Sequence, residues 1–204
     1  MLAFGFAVFF LIITPGPAVL SLAGVGASFS FNSGLKFLTG LAIGHIAVSI
    51  LVITGIASVI FSLPYMRTVF LLISTSFLFL LSYKIITKGS NIAFSSHLAI
   101  PSTFDGIILQ LMNPKAYAVH TIVFSGFSIF PDSFLFETIW KFLVMNAIWF
   151  PLHFAWLAAG SSIQRISLAP ATHNKINITM GGLLFITALL SFLSIRTLYK
   201  FKLF

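Results

Sequence analysis

Six stretches of this chain stay apolar for about twenty residues or more, the length a helix needs to cross the hydrocarbon of a bilayer. They run over residues 2–26, 36–61, 66–86, 105–130, 136–162 and 178–198. The segments between them are short, the longest being TKGSNIAFSSHLAIPST, and none has room for a soluble domain. Of the 204 residues 59% are hydrophobic and 7% charged, where an ordinary soluble domain has roughly a quarter charged. Eleven Lys/Arg and three Asp/Glu cannot cover the surface of a water-soluble globule of this size. Backbone groups left unpaired in lipid cost several kcal/mol, so spans of this length are helices, and the alternating pattern of a β-barrel is absent. The expected fold class is an all-α integral membrane bundle of six transmembrane helices in a single domain over residues 1–204.

The charge balance does not alter that reading. A net charge of +8 would point to nucleic acid in a soluble protein, but here the basic residues stand singly between apolar runs, as membrane-edge anchors do. Nucleic acid is therefore not an expected partner, whereas the lipid bilayer is. Lys36, Lys84, Lys88, Arg165 and Lys175 fall on one side and Arg67, Lys141, Arg196, Lys200 and Lys202 on the other, a tie. The uncharged first residues tip the expectation towards an external N-terminus. MLAFGFAVFFLIITPGP has neither a basic n-region nor an A-x-A-like cleavage site and reads as the first membrane helix rather than a removable signal.

Several chemistries lack their residues. There is no cysteine, which removes disulfides, thiol catalysis and iron–sulfur clusters. The histidines His45, His97, His120, His153 and His173 show no metal-box spacing. Asp105, Asp132 and Glu137 are the whole acidic inventory, too few and too far from the span centres for a carboxylate-pair enzyme or an acid-ring cation channel. No Walker A sequence is present. The chain is expected to be no enzyme, with no metal and no cofactor.

Two polar interruptions lie inside spans rather than between them: Thr14-Pro15-Gly16-Pro17 and Asn113-Pro114-Lys115-Ala116. Thr and Asn are good N-caps and Pro suits the first helical position, so each tetrapeptide can end one half-helix and start another in mid-membrane. Each stands in the first span of a three-span half, the halves meeting near residue 100. An odd number of crossings makes halves of about 1–100 and 101–204 inverted repeats, the plan of secondary transporters whose broken helices meet at a midplane site. Ordinary proline kinks are the competing explanation.

TPGP in the first span and NPKA in the fourth, with Phe104-Asp105-Gly106 and Gln110-Leu111-Met112 leading into the latter, resemble the lysine-exporter/homoserine-exporter (LysE/RhtB type) family of bacterial amino-acid efflux proteins. The resemblance covers nearly the whole chain. It implies proton-driven export of amino acids or related small zwitterions across the bacterial cytoplasmic (inner) membrane. It carries over Thr14, Pro15, Gly16, Pro17, Asn113, Pro114 and Lys115. The chain departs from the family's usual pattern at Ala18, where Asn or Asp follows TPGP, and at Gly44-His45, where Asp follows the glycine.

The chemistry of these residues fits such a site. Half-helix N-termini present free N–H groups and partial positive charge, suited to a carboxylate. Lys115 lies about ten residues into its span, roughly 15 Å from the membrane edge at 1.5 Å per residue, where a lysine costs about 2.5–3.5 kcal/mol on insertion scales. It is expected either to bind carboxylate or gate the site, or merely to hydrogen-bond carbonyls freed by a break. His45 takes the family's acidic position and is the candidate for proton coupling, unless it is a neutral histidine bonded between helices. Asn113, Tyr117 and His120 follow i, i+4, i+7 spacing, as do Asn146, Trp149 and His153 with Gly160 and Gln164 beyond them. From these stripes Tyr117 and Asn146 join the substrate-binding candidates, with interhelical hydrogen bonding as the alternative. Gly40 and Gly44 are spaced for close helix contact. An exporter of small amino acids is the leading expectation; a non-transporting membrane subunit and a passive pore are its rivals. A homodimer is one possible assembly.

Overall fold

A computed structural model describes residues 1–63, 65–88, 100–165 and 170–200, without the side chains of residues 67, 88, 164, 165, 170, 173 and 194–200. His97 and the side chains of His173 and Gln164 thus lie outside the described residues. The elements are helical throughout the described residues: α1 (Leu2–Ile13), α2 (Pro17–Ser28), α3 (Phe31–Ile53), α4 (Ile56–Ser62), α5 (Met66–Lys88), α6 (Thr103–Leu111), α7 (Pro114–Ser125), α8 (Phe134–Arg165) and α9 (Pro170–Lys200).

Both interruptions end one helix and begin the next, for a local reason. A residue before proline is pushed out of the helical region by the ring, and Thr14 (φ −54°, ψ 123°) and Asn113 (φ −81°, ψ 105°) both adopt extended backbone. Gly16, ahead of Pro17, is extended as well (φ −156°, ψ −179°). Helices α1 and α2 meet at 56°. Pro151, by contrast, stands inside an uninterrupted α8. Proline alone is therefore not the break signal here; the flanking Thr, Gly and Asn are part of it.

Four of the described helices are long and apolar enough to cross a membrane, namely α3, α5, α8 and α9, and a fifth span results when α1 and α2 count as one bent unit. The chain is a multi-pass helical membrane protein. Two boundaries differ from the sequence expectation. The expected span 105–130 is divided into pieces of 9 and 12 residues, each too short to cross alone at about 20 residues per crossing. The expected span 36–61 ends early, at Ile53, because Gly55 takes a left-handed conformation (φ +77°) that glycine adopts without the penalty of a Cβ.

Packing crosses between the two parts of the chain. Helix α3 lies along α6 and α7, α8 lies along α1 and α2, and α5 lies along α9. Small residues set the closest of these approaches. A Cβ at Gly40 would run into the Thr103 carbonyl, one at Gly106 into the Phe37 carbonyl and one at Gly160 into the Ala23 carbonyl. Backbones meet at these points, as lipid-embedded helices do when small residues let them. Leu22, Val25, Phe37, Leu41, Leu78, Leu81, Ile85, Leu109, Met145, Leu157 and Leu184 fill the apolar core between them.

Candidate functional site

The two breaks meet. Lys115, second residue of α7, extends its amine to the backbone carbonyl of Thr14, 101 residues earlier. That carbonyl belongs to the break, where α1 has ended and no α-helical partner reaches it. The aliphatic stem of Lys115 passes over Gly16, and a Cβ there would lie 2.7 Å from the lysine Cδ. Glycine at this position makes room for the lysine.

The second break is capped from within. Asn113 is buried, and its side-chain oxygen accepts from the Lys115 backbone N–H at 3.1 Å, with Pro114 in the first turn. The first break has no side-chain cap at Gly16, while the Thr14 hydroxyl turns back to the Phe10 carbonyl at 2.6 Å. Thr14 and Pro15 are exposed, Pro17 is half-buried and Pro114 is exposed.

Around the junction lies a cavity of about 40 Å³. Gly16, Gln110, Asn113, Lys115, His120, Trp149 and His153 supply its polar and aromatic wall, and Leu11, Ile12, Val19, Val119 and Met145 its apolar one. Behind the wall is a stack of rings. His45 is fully buried and lies on Trp149 with centroids 4.5 Å apart and planes 20° apart; Trp149 lies on His153 at 3.8 Å and 17°. His120 tilts against His45 at 4.7 Å. Nδ1 of His120 is 2.6 Å from the Ala116 carbonyl and Nδ1 of His153 is 2.9 Å from the Trp149 carbonyl. A carbonyl only accepts, so both Nδ1 atoms carry the proton. Among the described residues, neither nitrogen of His45 nor Nε2 of His120 has a hydrogen-bond partner, and the same holds for Oε1 of Gln110. Buried polar atoms left in this state are uncommon and costly.

Not every residue expected at the site is brought to it. Tyr117 is buried, but in a separate cluster with Val48, Ala57 and Ala116, its ring 4.9 Å from Phe61 and 5.9 Å from Phe70. Asn146 donates to the Phe142 carbonyl of its own helix at 2.8 Å and does not line the cavity. His45 stands one ring behind the wall. Conversely, Gln110 enters the wall although in the sequence it figures only as part of the approach to NPKA. Its position is set by Gly44, whose missing Cβ would lie 2.6 Å from the Gln110 Cβ.

The three acids are placed elsewhere. Asp105 forms a reciprocal cap with Ser102 at the start of α6: its carboxylate accepts from the Ser102 backbone N–H at 2.7 Å, and its own N–H donates to the Ser102 hydroxyl at 3.3 Å. Asp132 is exposed between α7 and α8. Glu137 pairs with Lys141 at 2.5 Å and accepts from the Ile129 and Phe130 backbone N–H groups. Lys141, expected at a membrane edge, is 1% exposed and also donates to the Phe124 and Phe127 carbonyls at 3.0 and 2.5 Å.

Helices interrupted at two points, joined beside a cavity with polar and apolar walls and accompanied by bilayer-length spans, make up the architecture of a membrane translocator. The profile of the LysE type translocator family matches residues 9–196, and the chain belongs to that family. No curated protein and no solved structure matches it.

Proposed function

We propose that the chain is a secondary transporter that exports amino acids or related small zwitterions across the bacterial cytoplasmic membrane, driven by protons. The observation that carries this reading is the contact of Lys115 with the Thr14 carbonyl at the edge of the cavity. A cation placed between two helix breaks is where a cargo carboxylate finds one full charge and the free N–H groups of half-helix N-termini. Thr14, Pro15, Gly16, Pro17, Asn113, Pro114 and Lys115 form the carboxylate end in this reading. Tyr117 and Asn146 act at one remove, through the packing of α7 and α8.

A cavity of about 40 Å³ has room for water but not for an amino acid, since ligand pockets usually hold about 300–1,000 Å³. Transport therefore requires the two breaks to part. The packing of α3 on α6 and α7, matched by that of α8 on α1 and α2, supports two inverted three-span halves, about 1–100 and 101–204, rocking about the site. His45 is the proton-coupling group, with His120 between it and the cavity.

The test uses vesicles preloaded with labelled amino acids. Efflux that depends on the proton gradient, and that loses this dependence in His45→Gln, is the expected result. Gradient-independent efflux would indicate a passive pore, and no efflux a non-transporting subunit.

A further inference from the structure

The cavity offers more than a carboxylate end. Gln110 is 3% exposed and His120 1% exposed; both line the cavity, and Oε1 of the first and Nε2 of the second have no partner. Oε1 is an acceptor. With its proton on Nδ1, facing the Ala116 carbonyl, neutral His120 presents Nε2 as a lone pair. Two acceptors without a partner therefore belong to residues that line the same cavity as Lys115.

The acidic side chains are all engaged or placed elsewhere. It has three acids in all, one capping α6, one exposed in a loop and one paired with Lys141. No acidic side chain lines the cavity.

We infer that Gln110 and His120 form an uncharged subsite for the cargo's amino group, which restricts the cargo to zwitterions without a cationic side chain. This rests on the amino-acid exporter reading above. An α-ammonium donates three hydrogen bonds; Gln110 and His120 take two of them, and the cargo's own carboxylate, held at Lys115, balances the charge. A second cation, on a lysine or arginine side chain, would enter a buried space with no counter-ion, where an unpaired charge is strongly disfavoured. A neutral side chain meets Val119, Met145 and the face of Trp149 instead.

The experiment is counterflow in proteoliposomes with labelled neutral amino acids and labelled lysine. Wild type is expected to carry at least one neutral amino acid roughly tenfold or more faster than lysine, the equivalent of about 1.4 kcal/mol. Gln110→Glu, nearly isosteric, is expected to shift that ratio towards lysine by supplying the missing counter-ion. Gln110→Met is expected to raise KM for the neutral cargo while leaving the elution profile of the purified protein unchanged. Lysine carried as fast as the best neutral amino acid by wild type would overturn the inference on its own, whatever the variants do. An unchanged ratio in a well-folded Gln110→Glu protein would overturn it too, while leaving the exporter reading intact. A wild type that carries no amino acid would bring down both.

Discussion

Helix α7 has a lysine amine near each of its ends, and the two are held very differently. At the C-terminal end, Lys141 from α8 is 1% exposed, paired with Glu137 and bonded to the Phe124 and Phe127 carbonyls. A cation there also suits the negative end of the helix dipole. At the N-terminal end, Lys115 is half-buried, faces the positive end of the same dipole and, among the described residues, has the Thr14 carbonyl for its amine and no carboxylate beside it. The first lysine has all that a buried charge needs and holds the α7–α8 connection together. The second is left short of a counter-ion next to a cavity, and a carboxylate cargo would supply one. Burial of a lysine in this chain thus does not by itself mark a transport residue; the missing partner does.

The comparison breaks most severely at Lys141. In Lys141→Met the two carbonyls lose their donor, at about 1–3 kcal/mol for each buried group left unpaired, and Glu137 loses its cation. The expected outcome is a large drop in the melting temperature and yield of detergent-purified protein. Transport per folded molecule should stay near wild type. Unchanged melting with lost transport would reverse the roles assigned to the two lysines.

A subtler test acts on Lys115 without replacing it. Gly16→Ala places a methyl 2.7 Å from the lysine Cδ, so the flexible side chain must move off the Thr14 carbonyl, while the extended backbone at residue 16 accepts alanine. Transport is expected to fall by about fivefold, near 1 kcal/mol, with little change in melting temperature. Wild-type transport rates in that variant would show that the position of the amine is unimportant.

Much of this arrangement could be read from the sequence, and the parts that could not have definite causes. The breaks were legible because Thr14, Gly16 and Asn113 accompany their prolines, whereas Pro151 has no such neighbours and leaves α8 whole. Ser102-Thr103-Phe104-Asp105 is a local capping-box pattern, and it accounts for Asp105 as a helix cap. Glu137 and Lys141 stand at i, i+4 on one helix, a spacing that suits an ion pair, but the sequence reading placed Lys141 at a membrane edge, since nothing local signals its burial. The meeting of Lys115 with Thr14 spans 101 residues and depends on how the helices pack, which no local pattern encodes. Tyr117 shows the limit of periodicity. At 3.6 residues per turn it sits about 60° around the helix from His120, enough to turn it towards Phe61 and Phe70 and away from the cavity.

The central claim, that the amine of Lys115 receives the cargo's carboxylate, is open to one direct measurement. In proteoliposomes, a neutral amino acid carried by the wild type and its carboxamide, which lacks the negative charge, are compared as competitors of labelled counterflow, in wild type and in Lys115→Met. Wild type should prefer the carboxylate form by roughly ten- to a hundredfold, in line with a charge-assisted hydrogen bond of about 1.5–3 kcal/mol, and Lys115→Met should show nearly equal competition by the two. The same preference for the carboxylate in both proteins would contradict the claim and leave Lys115 as a strut between two broken helices.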